Sequence, residues 1–180
     1  MSRRKVPPPA RLLLSVIYRD EGDFEKSLRR ISEQVGEVAR TSEPFPFDRT
    51  EYYKREMGAP LFRRFVLTAG AVSRDVLATA KLATEAIENE FSVNGKRTVN
   101  IDPGLLTDEN VVLATGKNYS HRIFLHDGIF ADLTLVFEKG EYRPLPWTYP
   151  DYASAEIRAF LAGWRREFRE ERKQALRGDS

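Results

Sequence analysis

At 180 residues the chain has room for one domain with a core of its own, since roughly 70% of an unfolded chain's surface is buried on folding at this size. Hydrophobic residues at 41% and charged residues at 31% are ordinary for a globular protein, and a formal charge of +2 is too small to argue for nucleic-acid binding. Cysteine is absent, which excludes a disulfide framework, a thiolate zinc site and a cysteine nucleophile and suits a reducing cytoplasm.

Residues 1–9 form a basic, proline-containing leader with Arg3, Arg4 and Lys5, expected to be flexible. Residues 11–18 then read as a continuous buried strand, far shorter than the ~18 residues of a membrane span, so neither a signal peptide nor a transmembrane helix is expected. Asp20-Glu21-Gly22-Asp23 breaks it. Helical spacing follows through Phe24, Leu28, Ile31 and Val35, with Asp23 as cap and Gly36 as stop. Between residues 37 and 60, Pro44 and Pro46 restrict the backbone and 48–57 has no clean period, which predicts an irregular strand and a long loop.

Residues 61–69 read as a strand, with a helix the alternative over so short a run because Arg63 and Arg64 blur the alternation. Ser73-Arg74-Asp75 caps a helix over 76–91 whose buried face is Val76, Ala80, Ala83, Ile87 and Phe91. After an Asn94-Gly95 turn come strands at 98–102 and 111–115, then a hairpin of 120–125 with 129–137 across Asp127-Gly128. Residues 154–173 form an amphipathic helix with Ile157, Phe160, Leu161, Trp164 and Phe168 on one face, and 175–180 a flexible tail, leaving 10–174 as a single globular domain. The order β-α-β-β-α-β followed by a hairpin and a helix predicts an α+β fold. A mixed or antiparallel sheet is expected with helices packed on one face, as a ferredoxin-like core with a C-terminal hairpin and helix.

Polar residues interrupt this pattern at three places. Lys81, Thr84 and Glu88 share a strip at the margin of the buried helical face, where they either line a cleft or form a boundary salt bridge with Glu85. Asn100 and Asp102 share one strand face before Pro103-Gly104, which reads as a turn; Asp102 is there a metal ligand or general base, or simply caps that turn. In the hairpin, a loop of Asp127-Gly128 alone sets His121 opposite Thr134 and Ile123 opposite Asp132, with Arg122 on the other face. His121 and Asp132 are then an acid-base pair or a buried histidine with its hydrogen-bond partner, and a one-residue slip removes the coincidence.

Sharper motifs are missing. The Gly116-Lys117 pair lacks the leading glycine and the following serine or threonine of a P-loop, and neither Gly-x-Gly-x-x-Gly nor Gly-x-Ser-x-Gly occurs. Two histidines, His121 and His126, and no cysteine disfavour a zinc hydrolase, whereas an oxygen-rich magnesium site drawing on Glu56, Glu88, Asp102 or Asp132 stays open.

The runs Glu51-Tyr52-Tyr53-Lys54-Arg55-Glu56-Met57-Gly58, Gly95-Lys96-Arg97, Asn100-Ile101-Asp102-Pro103-Gly104, Lys117-Asn118, His121-Arg122-Ile123 and Trp147-Thr148-Tyr149-Pro150-Asp151-Tyr152, in this order, resemble a bacterial family known as domain of unknown function 4416. The resemblance covers nearly the whole chain between its ends. The family's pattern has threonine where this chain has Gly116 and glutamate where it has Asp132. The resemblance implies no activity, but it puts weight on Tyr53, Glu56, Lys81, Thr84, Glu88, Asn100, Asp102, Lys117, His121, Arg122 and Asp151 as a group.

Two readings follow. In the first, the protein is a small cytoplasmic enzyme or binding protein for a phosphorylated metabolite or nucleotide. His121, Asp102 and Glu88 are then catalytic, Lys81, Lys117, Arg122, Asn100 and Thr84 hold the anionic ligand, and Glu56 with Asp102 takes a magnesium ion. In the second it is a non-catalytic protein-interaction module that uses exposed Tyr52, Tyr53, Trp147 and Tyr149. Convergence of Lys81, Asp102, Lys117 and His121 on one concavity favours the first, and dispersal favours the second.

Overall fold

A computed structural model describes residues 3–48 and 51–178; positions 1, 2, 179 and 180 of the expected leader and tail lie outside the described residues. In chain order the elements are β1 Arg11–Tyr18, α1 Glu21–Gln34, β2 Val38–Thr41, β3 Phe45–Pro46, α2 Lys54–Met57, β4 Phe62–Thr68 and, after a 3-10 turn at Arg74–Val76, α3 Leu77–Glu90. Then follow β5 Ser92–Val93, β6 Lys96–Arg97, β7 Val99–Leu106, β8 Asn110–Thr115, β9 Arg122–Phe124, β10 Phe130–Glu138, β11 Glu141–Pro144 and α4 Ala155–Gly178. The last helix thus runs past the expected end at 173 and takes in positions 175–178.

β1 is buried along its whole length because it is paired on both sides, with β4 and with β7, each antiparallel. The cap of α1 is Asp20 and not Asp23: its side chain accepts from the backbone N–H groups of Gly22 and Asp23. The β5–β6 hairpin turns at Asn94 and Gly95, whose φ angles of 53° and 73° are what a two-residue primed turn demands.

The main sheet has the order β11-β10-β8-β7-β1-β4-β2, with β3 on β4 and β9 on β10, and every pairing in it is antiparallel. Its segment β7-β1-β4-β2, joined through α1 and α3, is the strand order of a ferredoxin-like unit. The fold is α+β, as expected.

One expectation fails: the helices do not all pack on one face. Leu13 and Leu14 are neighbours on β1 and point to opposite sides. Leu14 joins Val16, Phe24, Ile31 and Ile87 in the core under α1 and α3. Leu13 joins Phe65, Leu113 and Leu135 in a second core, covered by Ile157, Leu161 and Trp164 of α4. The physical reason is the extension by β8, β10 and β11, which leaves a second apolar face too wide to expose; each α4 side chain buried there contributes about 1.5–3 kcal/mol.

A second correction concerns Pro103-Gly104, which form no turn. β7 passes straight through them, with Leu14 opposite Pro103 and Leu13 opposite Gly104. The absent side chain of Gly104 serves packing: a Cβ there would lie 2.7 Å from Leu113 Cδ2 and 2.9 Å from the carbonyl oxygen of Val112. Gly104→Ala should therefore lower unfolding free energy by about 1–3 kcal/mol, because one of the two clashing groups is backbone. Urea denaturation checks this, and an unchanged midpoint would contradict the close approach.

Candidate functional site

The β7–β8 ladder is short. Pairing runs from Leu106↔Val111 through Leu105↔Val112 to Gly104↔Leu113 and goes no further, although both strands continue. Alternate residues of a strand direct their N–H groups to the same side, so those of Ile101 and Leu105 share a side with the ring nitrogen of Pro103. Leu105 lies within the β8 ladder, Pro103 has no N–H to satisfy, and the Ile101 N–H donates to Glu88 Oε1 at 2.6 Å. A carboxylate from α3 takes the place of a strand, and the sheet is free to open.

α3 presents one polar stripe to that opening. Lys81, Thr84 and Glu88 are 6%, 0% and 5% exposed, so they belong to the buried face and not to its margin, while the expected Ala83 is only half-buried. Glu88 Oε2 accepts from Arg97 Nη1 at 3.0 Å. Arg97 also donates to Asn100 Oδ1 at 2.8 Å, and its Nε and Nη2 grip Glu56 at 2.8 and 2.9 Å. Asn100 Nδ2 donates in turn to Asp102 Oδ2 at 2.8 Å, and Lys81 Nζ donates to Asp102 Oδ1 at 3.2 Å. The result is one continuous chain of charge-assisted bonds from α2 to α3 across β7.

The protonation energetics follow from this chain. Burial alone would pull the Lys81 ammonium down, but Asp102 and Glu88 outweigh it and hold the group above its ordinary value. Burial pushes the Glu88 carboxyl up despite Lys81 and the Ile101 N–H. Hydrogen bonds from Arg97 hold Glu56 below the usual carboxylate range. Burial also raises the Tyr53 hydroxyl, with Asp102 adding to it.

Beside the opening lies a cavity of about 700 Å³. Lys81, Glu85 and Glu88 of α3, Asn100 and Asp102 of β7, residues 113–117 at the end of β8, and Arg63, Arg97 and Asp132 line it together with Phe47, Tyr52, Tyr53 and residues 149–152. Arg63 forms an ion pair with Asp151 and stacks near Phe47 and Tyr152, its carbon Cζ 4.7 and 5.0 Å from their ring centres. Asp151 is spent on this pair, and at the start of α4 it is Ser154 Oγ that accepts from Ile157 N. A smaller cavity of about 190 Å³ shares Phe47, Arg63 and Asp151.

The hairpin departs from expectation by one residue. Arg122 faces Asp132, Ile123 faces Ala131 and Phe124 faces Phe130, because Leu125 and His126 both bond to Ile129 in a bulge ahead of the Asp127-Gly128 turn. Arg122 therefore reaches Asp132 directly, with Nε 2.9 Å from Oδ2, and also donates to the Lys117 carbonyl and to the Tyr149 hydroxyl, each at 2.9 Å. His121 lies before the strand, stacks on Trp147 with ring centres 4.8 Å apart, and brings Nε2 within 3.3 Å of Asp132 Oδ2.

Of the expected site residues, Lys81, Glu88, Asn100, Asp102 and Lys117 line one cavity. His121 and Arg122 stand behind Asp132, Thr84 is buried with its hydroxyl donating to the Lys81 carbonyl, and Glu56 is enclosed by Arg97. Among the described residues no three His, Cys, Asp or Glu side chains converge as a metal site. Arg63 and Arg97 were missed as site residues: Arg97 sits in the two-residue β6 and Arg63 is followed by Arg64 near the start of β4, and arginines so placed read as solvated positions. The signal available for Arg63 was its place among alternating apolar residues of β4.

Fold and site together define an α+β protein with a ferredoxin-like core, an extended antiparallel sheet and a polar cavity at the open edge of an inner strand. Comparison with protein families matches residues 8–168 to the one described as Domain of unknown function (DUF4416), and the chain belongs to that family. Neither curated proteins nor solved structures give a match. Among the described residues no helix is long and apolar enough to cross a membrane.

Two predictions follow from the bonding. Glu56 has a lowered folded-state pKa, so its contribution is present above the ordinary value of 4.5 and is lost as pH falls through the folded-state value. Glu56→Gln should thus cost about 1–2 kcal/mol at neutral pH, and the gap to wild type should close in acid. Melting curves between pH 7 and pH 3 check it; a gap independent of pH contradicts it. Arg122→Lys keeps the charge but cannot reach three acceptors, and should lose about 1–3 kcal/mol in chemical denaturation.

Proposed function

We propose that this is a cytoplasmic bacterial protein, a small enzyme or a binding protein, that takes a phosphorylated metabolite or nucleotide in the cavity beside β7. One observation carries the reading: Lys81, Asn100, Asp102 and Lys117, brought from α3, β7 and the segment after β8, line a single cavity of about 700 Å³. That volume lies within the roughly 300–1,000 Å³ typical of small-molecule sites. For chemistry at the bound molecule Asp102 is the best-placed base, since its side chain is 28% exposed and stands against the Lys81 ammonium. Glu88 has both oxygens engaged and His121 is off the cavity wall, so they act through their neighbours.

The interaction-module reading has less behind it. Trp147 is held against His121 and donates its indole N–H to the Leu133 carbonyl, Tyr53 packs on Phe47, and Tyr52 and Tyr149 line the cavity. Magnesium has weak support in the pair expected to hold it, because Arg97 occupies Glu56 while Lys81 and Asn100 occupy Asp102.

The test is a thermal-shift screen of nucleotides and phosphorylated sugars, each with and without magnesium. A ligand at about 100 times its dissociation constant stabilises by roughly 2.7 kcal/mol, a shift of several degrees in a domain of this size. The expected result is a shift in wild type with at least one of these compounds. No shift with any compound would contradict the reading.

A further inference from the structure

We infer that the cavity selects a planar ring carrying one anionic group, a single phosphate or carboxylate, with Lys117 as its anchor; this rests on the proposed small-molecule reading of the same site. Four cations and five carboxylates line the wall. Three of the cations are committed: Arg63 to Asp151, Lys81 to Asp102, and Arg97 to Glu88 and Glu56. Among the described residues, Lys117 is the lining cation without a carboxylate partner. Its Nζ lies 3.1 Å from the Tyr52 hydroxyl and 4.5 Å from the centre of that ring.

Lys117 is nonetheless held in place. Its backbone N–H donates to Thr115 Oγ1, and its carbonyl accepts from Arg122, which also bonds Asp132 and Tyr149. A fixed backbone with an ammonium that no carboxylate neutralises is what a ligand anchor requires, since little ordering cost is left to binding. A neutral tyrosine hydroxyl is the group displaced when an anion arrives, and the exchange gains a charge-assisted bond.

The neighbourhood limits the anion to one group. Gly116 stands beside Glu85, whose Oε1 would lie 3.8 Å from a Cβ at that position, and Asp102 and Asp132 line the same wall. Every further phosphate adds negative charge to a wall whose carboxylates already outnumber its cations, with no cation left to receive it. Tyr52 and Tyr149 put two aromatic side chains in the same wall, and stacking on aromatic rings accepts any planar ring.

The experiment is calorimetric titration of wild type, Lys117→Met and Lys117→Arg. The probes are free nucleosides, nucleoside 5′-mono-, di- and triphosphates of all four bases, and orotate as an aromatic carboxylate. In wild type the monophosphate or orotate should bind at least about tenfold tighter than the corresponding triphosphate, with or without magnesium. Lys117→Met should weaken the anionic probe about 10- to 100-fold and leave a nucleoside unchanged, and Lys117→Arg should recover most of the loss. Preference for monophosphate or for orotate tells phosphate from carboxylate, and either supports the assignment. Affinity that rises with phosphate number, or a Lys117→Met loss equal for charged and uncharged probes, overturns it. If no ring-bearing probe binds while phosphorylated sugars raise the melting temperature, this inference fails and the broader reading stands; if those too are silent, both fail.

Discussion

The hydrogen bond from the Ile101 N–H to Glu88 Oε1 holds the rest of the site in place. An inner strand of a nine-stranded sheet is left without a neighbour on its β8 side over residues 99–103, and a buried backbone donor without a partner would cost roughly 1–3 kcal/mol. Pro103 removes one such donor and Glu88 satisfies another. Once Glu88 is buried as a carboxylate it needs a cation, which Arg97 supplies, and Arg97 in turn recruits Glu56 and Asn100. The remaining polar members, Asp102 and Lys81, complete a set in which breaking one link exposes the others; loss of a single partner in such a buried cluster typically costs about 3–5 kcal/mol.

That dependence explains why the opening persists as a cavity and does not close. Extending the β8 ladder past Gly104 would need a donor that Pro103 lacks, and would displace the Glu88 carboxylate from Ile101. α3 is pinned over the gap by its own polar stripe, while α1 and the apolar residues of the same face anchor it to β1 and β7. On the other side of the opening, Arg122 ties the turn after β8 to Asp132 on β10 and to Tyr149, so the cavity walls are braced independently of one another. Stability and a preformed site are here the same set of bonds.

Much of the scaffold was legible in the sequence because it is written in periodicity: β1, α1, β4, α3 and α4 all lie where apolar spacing puts them, and the strand order follows from their succession. The misreadings have physical causes. Pro103-Gly104 carries the composition of a turn, but in a strand whose outer side is unpaired a proline costs no ladder bond, and Gly104 is there for the approach of Leu113. The face of α3 was set a little off because lysine, threonine and glutamate are taken as exposed, whereas here they are buried together and satisfy each other. The hairpin slipped by one residue because a bulge at Leu125 and His126 leaves no compositional trace. The polar group was found as a group; its internal partners Arg63 and Arg97 were not, since an ion pair joins residues far apart in sequence and leaves no period.

The most direct measurement is a backbone amide chemical-shift titration of the isotope-labelled protein with a nucleoside monophosphate. A ligand seated in the opening should move the amide resonances of Ile101, Asp102, Gly116 and Lys117 together, with one shared saturation curve, and leave those of α1 and of β9 in place. Shifts confined to the exposed strand around Ile123 and Phe124, or saturation with no change at residues 100–102 and 115–117, would contradict the account.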